Sequence, residues 1–298
     1  MTCKICGSEK SKVIGKPRVN KNFPKINLNE YRIIQCGKCS FYYIHPKIEL
    51  NQNDWNELYK DDYFVNKHKS EWLEKLNTKE RTDRVKLIKK NLLSNNGNFL
   101  DIGCGEGFVL NEALAQGFIP FGLDIANNLH DSVDTGRGVN FFEGNIFDAN
   151  YNENYFSAIY MDSVLEHVDD PISILKEIYR VLKPDGIGFL IVPNEDSLIN
   201  DTKQLLYKLM LRQDEYGRIK PFVPPYHING FNPKSLNFSI ESVGLRMINF
   251  MQFAGDYKFY KAHKPSSKAY FRELILYPSG LLSILLNKQY QLQALFTK

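Results

Sequence analysis

No stretch of this chain reaches the roughly 18 consecutive apolar residues of a membrane-spanning helix, so no such helix is expected. The first residues, Met1-Thr2-Cys3-Lys4, open no apolar segment of the signal-peptide kind. Both absences point to a cytoplasmic protein. The front third contains no dense runs of arginine, which weighs against a surface built for nucleic acid. Cysteine is scarce, five in 298 residues, and thiols in a reducing compartment do not remain disulfides. What is present is ordinary for a globular protein: 43% hydrophobic and 24% charged residues. The length allows a sizeable core and one small appendage.

The formal net charge of +4 conceals a division. Residues 1–97 hold 20 Lys and Arg against 11 Asp and Glu, whereas residues 98–298 hold 18 against 23. A solvated basic surface explains this as well as a front third that faces a phosphate or nucleotide group. Charge alone does not choose between them.

Four of the five cysteines stand in two Cys-x-x-Cys pairs, Cys3/Cys6 and Cys36/Cys39. Each pair offers two thiolates from one tight turn, and four thiolates suit a tetrahedral zinc ion. Gly7 follows the first pair and Gly37 lies inside the second, where such turns use a permissive backbone. A closed four-sulfur site leaves no open coordination position, so the Zn2+ is expected to be structural. Residues 8–31 are polar and contain proline, too little for a core, and metal is expected to stand in for one. A redox dithiol or a ribbon that grips nucleic acid are the competing uses.

Asn98-Phe99-Leu100-Asp101-Ile102 reads as a buried strand, and Gly103, Gly105 and Gly107 then open a helix carrying Val109, Leu110, Ala113 and Leu114. Glycines at this place let a nucleoside cofactor lie against bare backbone at a helix N-terminus. The next strand, Phe118 to Leu123, ends in Asp124, which suits two ribose hydroxyls or, alternatively, a helix cap. A further strand is expected over Phe156–Met161. Asp170-Pro171 starts a helix with Ile172, Leu175, Ile178 and Leu182 on its apolar side, and Lys183-Pro184-Asp185-Gly186 breaks it before a strand at Ile187–Val192. Strands alternating with helices at this rhythm imply a parallel sheet covered on both faces.

Several of these pieces occur together in one family. Leu-Asp-Ile-Gly-Cys-Gly-Glu-Gly at 100–107, Asp124, Glu143-Gly144-Asn145-Ile146, Val164-Leu165-Glu166-His167 and Val181 to Gly186 follow in order. The stretch from Phe99 to Asn194 resembles a class I S-adenosylmethionine-dependent methyltransferase. The resemblance implies an α/β, doubly wound, Rossmann-like sheet of seven mostly parallel strands. Its last strand, antiparallel, would fall near residues 289–296. It also implies S-adenosyl-L-methionine as cofactor, held by Asp101, Gly103, Gly105, Gly107, Asp124, Ile125, Asn145, Ile146 and Asp162. The family usually has Asp at position 145; the Asn145 amide oxygen can accept the same bond from the adenine amino group. Ser157 and Asp185 likewise replace a common Asp and a frequent Gly.

With the cysteine pairs, Tyr42-Tyr43, Pro46, Tyr59 and Tyr63-Phe64 ahead of this core, the order resembles a subgroup of sugar, capsule and natural-product methyltransferases. The implied organisation is a zinc-binding ribbon over 1–48, a helical connector or lid over 49–97, and a cofactor-binding domain over 98–298. A substrate-covering insertion is expected near 195–235. The extra C-terminal domain of sugar-nucleotide C-methyltransferases is not seen, which argues against C-methylation.

Methyl transfer from a sulfonium is an in-line displacement, so the enzyme mainly aligns the nucleophile and excludes water. Glu166 and His167 fall just beyond the strand ending near Met161, where ligands of doubly wound sheets react. His167 is the candidate base, unless it only holds the loop. His227, within Pro224 to Phe231, and Tyr63 are candidate acceptor contacts, or a rigid surface loop and a packed aromatic. Relatives that hold a divalent cation in this loop place an acidic residue three positions before the Glu; here Ser163 stands there, so metal assistance is disfavoured. The expected partner is a small anionic acceptor, a sugar, nucleotide-sugar or related precursor. An RNA methyltransferase and a cofactor-binding assembly protein without turnover are the alternatives. Residues 274–286 are apolar around Pro278 and Gly280 and are expected to pack under the last strands, a homodimer contact or membrane-touching helix pair being the other uses.

Overall fold

A computed structural model of the chain describes residues 1–17, 30–49, 71–93, 97–133, 136, 138–209, 227–253 and 258–298. Tyr59 and Tyr63, with residues 50–70 and 94–96 of the expected connector and 210–226 of the expected insertion, lie outside the described residues.

The front of the chain forms three antiparallel strands, β1 (Ser11–Gly15), β2 (Arg32–Cys36) and β3 (Tyr42–His45). Helix α1 (Glu71–Asn91) leads into the main sheet. Then come β4 (Asn98–Ile102), α2 (Phe108–Ala115), β5 (Ile119–Asp124), β6 (Asn140–Glu143) and β7 (Phe156–Asp162). Helix α3 (Pro171–Val181) and β8 (Leu182–Pro193) follow without a loop between them. Next are α4 (Leu198–Leu209), β9 (Asn229–Gly230), α5 (Pro233–Ser242), β10 (Arg246–Phe253), α6 (Lys268–Leu285) and β11 (Gln291–Thr297).

Seven strands make one sheet in the order β10-β11-β8-β7-β4-β5-β6, in which β11 alone runs antiparallel to its neighbours. This is the doubly wound α/β architecture expected from the strand–helix rhythm. The start of α3 follows the chemistry of its first residues. Asp170 accepts from the backbone N–H groups of Ile172 and Ser173 at 3.1 Å each, and Pro171 fills the first turn. Ile174, Leu175, Ile178 and Val181 then face the sheet. The Lys183-Pro184-Asp185-Gly186 break behaves differently from expectation. Phe156 pairs with Leu182 and Ala158 with Ile187, so these four residues bulge out within β8 and do not form a separate loop. Asp185 takes a left-handed φ of 60°, which short polar side chains tolerate better than most.

The sheet is covered on both faces. Val85, Ile88, Phe99, Val109 and Phe118 pack one side, while Leu175, Ile178, Leu236 and Ile240 pack the other. The second layer continues into the front of the chain: Cys3, Cys36, Cys39, Phe41 and Tyr43 share it with Leu100 and Phe231. The rings of Phe41 and Phe231 meet at 5.1 Å. The ribbon therefore borrows apolar partners from the main core and adds a small cluster of its own around Ile33, Tyr42, Ile44 and Ile228. The fourth strand of its sheet is β9, which pairs with β3 through Tyr42↔Gly230 and Tyr43↔Asn229.

The apolar run 274–286 departs from expectation. It continues as one helix through Pro278 and buries only the stripe of Leu276, Gly280 and Ser283. Ile275, Ile284 and Leu285 face outward, Leu285 at 83% exposure. A single narrow stripe is all that one neighbouring layer can cover. Among the described residues, no helix is long and apolar enough to cross a membrane.

Candidate active site

The turn after β4 is built from glycines in left-handed conformations, with φ of 71° at Gly103, 50° at Gly105 and 75° at Gly107. A Cβ on Gly103 would stand 2.4 Å from the Val164 side chain, and one on Gly107 would stand 2.7 Å from Leu129. Neighbouring side chains and backbone conformation together demand glycine there. Gly103 and Cys104 both donate to the Leu123 carbonyl, at 2.7 and 3.1 Å, and tie the turn to the end of β5.

Asp124 closes that connection. Its carboxylate accepts from Gly105 N–H at 2.8 Å and from Ala126 N–H at 3.3 Å. No helix follows it, so it is not a helix cap. Burial raises its pKa above the usual carboxylate range, against those backbone bonds. Asp101, fully enclosed at the end of β4, is pushed well above that range by burial and then by the charges of Asp162 and Asp124. The glycine turn and the two buried aspartates thus stand at the C-terminal strand ends, the place where doubly wound sheets bind ligands.

Asp162 and Asn145 also make bonds within the protein. Both carboxylate oxygens of Asp162 are engaged: one accepts from Arg84 at 3.0 Å and Tyr160 at 3.1 Å, the other from the Ser163 hydroxyl at 2.9 Å. The Asn145 oxygen accepts from the N–H groups of Phe147 and Asp148, at 2.9 and 3.1 Å, and its amide nitrogen donates to Asp148. These bonds hold the turn that follows β6. Ile146 is buried in the core, whereas Ile125 is exposed beside Asp124.

Glu166, His167 and His227 come together beyond β7. One ligand atom from each lies within 4.8 Å of the others. The two imidazole rings meet edge-to-face at 4.7 Å. Glu166 is 1% exposed, and neither of its oxygens makes a hydrogen bond of normal geometry. Burial pushes its carboxyl up to about 8 and the His227 imidazole down to about 4. Asn229 latches the far segment in place. Its amide donates to the carbonyls of Leu165 and Val168, at 3.1 and 2.5 Å, while the N–H groups of Ile228 and Asn229 both bond the Glu166 carbonyl. Thus His227 reaches Glu166 two residues ahead of β9, the strand that completes the front sheet. Tyr63, the other expected acceptor contact, lies outside the described residues.

The four paired cysteines converge. Cys3 and Cys39 have their sulfurs 3.6 Å apart, Cys6 and Cys36 3.5 Å, and all four are free thiols. A disulfide needs about 2.05 Å, whereas sulfurs at about 2.3 Å from a tetrahedral zinc stand about 3.8 Å apart. The donor set and spacing fit that ion. Gly7 takes the expected left-handed φ, 66°, but in the second pair Ser40, at 64°, does so in place of Gly37. Gly37 instead lies against the Lys10 carbonyl, which a Cβ would approach to 3.2 Å.

Arg84 and Asn229 were not apparent from sequence. Arg84, buried on α1, bonds Asp162, Tyr160 and Glu80. The only signal was a Glu80–Arg84 spacing of one helical turn, common on any exposed helix. Asn229 sits in a two-residue strand that no periodicity reveals.

A doubly wound sheet with a glycine turn, an acidic residue ending the second strand and a Glu-His loop defines a nucleoside-cofactor class of fold. The family model described as a methyltransferase domain matches residues 72–249, and the chain belongs to that family. It is similar to a ubiquinone biosynthesis O-methyltransferase of Haemophilus ducreyi, 34% identical over 128 residues, covering 39% of this chain and 51% of that protein. It is also similar to a malonyl-[acyl-carrier protein] O-methyltransferase of Calditerrivibrio nitroreducens, 30% identical over 102 residues, covering 34% and 40%. The chain thus spans about half the length of the curated relatives it matches. Among solved structures, a SAM dependent methyltransferase from Archaeoglobus fulgidus shares the fold with a TM-score of 0.52 and 18% identity, over 80% of this chain and 100% of that one. The geranyl diphosphate C-methyltransferase of Streptomyces coelicolor gives 0.52 and 12%, over 76% and 84%.

Proposed function

We propose that the protein transfers a methyl group from S-adenosyl-L-methionine to a small anionic acceptor, a sugar, nucleotide-sugar or related precursor. The observation that carries this reading is the acidic glycine turn. A sulfonium cofactor is cationic, and Asp124 supplies the carboxylate beside a turn of bare backbone, while Asp101, raised by burial, and Asp162, paired with Arg84, add little net charge. Asp124 has lone pairs left for ribose hydroxyls, and Ile125 offers an apolar edge to the adenine.

The acceptor sits against Glu166, His167 and His227. The donor would supply an electrophilic methyl group on a sulfonium, so these residues need only hold the acceptor's nucleophilic atom in line with it and keep water out. His167 takes the acceptor proton, while His227, whose imidazole burial pushes down to about 4, packs against it. The curated relatives named above are O-methyltransferases, which favours an oxygen acceptor. An RNA acceptor is disfavoured by where the front cations go. Lys4 and Lys47 both face Asp169, at 3.9 and 2.7 Å, and Arg84 is buried in its own ion pairs. Zinc held by Cys3, Cys6, Cys36 and Cys39 would fix β2 and β3, on which β9 and so the placement of His227 depend.

The test is transfer of an isotopically labelled methyl group to a panel of activated sugars, acidic metabolites and RNA. Label in a small acidic product supports the reading. Label in RNA alone, or tight donor binding with no transfer to any of them, refutes it.

A further inference from the structure

We infer that helix α6, with the basic turn ahead of it, is a docking surface for an anionic lipid bilayer, on which the helix lies flat. The inference is independent of the acceptor's identity. Its first support is the pattern of exposure. Phe271, Leu274, Ile275, Leu281, Leu282 and Leu285 recur at three- and four-residue spacing and are each 40% to 83% exposed. On a helix that spacing gathers them into one stripe about 21 Å long, opposite the buried Leu276, Gly280 and Ser283. No charged residue interrupts 274–287. Single exposed apolar side chains are ordinary, but a continuous stripe marks a surface that meets something apolar. The neighbouring α4, which packs against α6, leaves Leu205 and Leu209 exposed as well.

The second support is charge, and it names the occupant. Residues 258–288 hold six Lys and Arg against one acid, Glu273, which Arg272 engages at 2.9 Å. Lys261, Lys264 and Lys268 are exposed, and among the described residues they make no ion pair. A second copy of this face would bring them only more lysine and the same occupied Glu273, whereas lipid phosphates pair with all three. Tyr260, in the turn Phe259–Ala262 that carries Lys261, packs edge-on against Tyr270 and Tyr277 of α6 at 5.6 Å each. The basic turn and the apolar helix are therefore one packed feature. Among the described residues no helix is long and apolar enough to cross a bilayer. An apolar stripe bordered by lysines lies instead in the plane of the headgroups.

The test is flotation of the full chain, its cysteine centre filled with zinc, with vesicles of phosphatidylcholine alone or mixed with phosphatidylglycerol. The expected result is binding to the mixed vesicles that weakens as salt rises. The triple variant Lys261→Gln, Lys264→Gln, Lys268→Gln should bind about 100-fold more weakly, since one lysine near an anionic surface is worth about fivefold. The double variant Leu282→Asp, Leu285→Asp should no longer float with the vesicles. Both change exposed side chains, so their melting temperatures should match wild type. Wild-type protein that ignores the mixed vesicles, or floats equally with neutral ones, would overturn the inference. So would a lipid-free dimer, seen by sedimentation velocity, that the leucine variant splits, because the face would then belong to a second copy.

Discussion

Replacing Asn229 by Ala tests whether the ribbon strand positions the acceptor site. The Asn229 amide nitrogen donates to two carbonyls, those of Leu165 and Val168, while its own oxygen has no partner. The fold therefore uses only the donor half of the side chain. Truncation leaves two enclosed carbonyls unpaired, at about 1–3 kcal/mol each if no water enters, so a loss of about 2–6 kcal/mol is expected. At about 2–4 °C per kcal/mol for a chain of comparable size, the melting temperature should fall by at least about 4 °C. Asn229→Asp should fall further, because it sets a charge against the same two oxygens. Affinity for S-adenosylhomocysteine should hold, since the glycine turn is built from other residues, while kcat drops. Thermal melts, calorimetry and methyl-transfer rates check each part. An Ala variant with unchanged melting and unchanged kcat, or an Asp variant as stable as wild type, would refute the reasoning.

Stripping metal with a strong chelator, or Cys36→Ser, should abolish methyl transfer before donor binding, because β9 pairs with β3 and the cysteine layer joins the main core; parallel activity and donor-binding curves would decide it. Asp101→Asn gives a pH signature. The folded carboxyl is raised by burial, so both states are protonated below the unfolded pKa. Above that pKa the unfolded chain ionises first, and wild-type stability is lost as pH rises through the folded pKa. The variant lacks this loss, so melts of both proteins from pH 4 to 9 without cofactor should show its relative stability rising with pH. Arg84→Met removes the partner of Asp162 and Tyr160 and should cost about 3 kcal/mol, measured by denaturant unfolding.

Much of the scaffold was legible because its signals are local. Asp170-Pro171 carries both the cap and the first-turn proline of α3, while β11, the antiparallel strand, falls where the family resemblance implied it. The glycine turn and Asp124 sit where their spacing placed them. The less legible parts depend on distant partners. Asn145 holds its own turn because Phe147 and Asp148 present N–H groups to it, and Asp162 is taken by Arg84 from a helix near the front. Likewise, nothing in 274–286 says that only one stripe of that helix would find a neighbour. Neither can a two-residue strand such as β9 be read from a pattern of period two.

The central claim is that a cationic methyl donor is drawn into the acidic turn beside Asp124. Calorimetry of S-adenosylmethionine and S-adenosylhomocysteine on wild-type and Asp124→Ala protein tests it most directly. The account predicts saturable binding of both nucleosides by the wild type and loss of at least about tenfold in affinity in the variant, the value of one charged hydrogen-bond partner. Wild-type protein, folded and metal-loaded, that gives no heat with either nucleoside would contradict it.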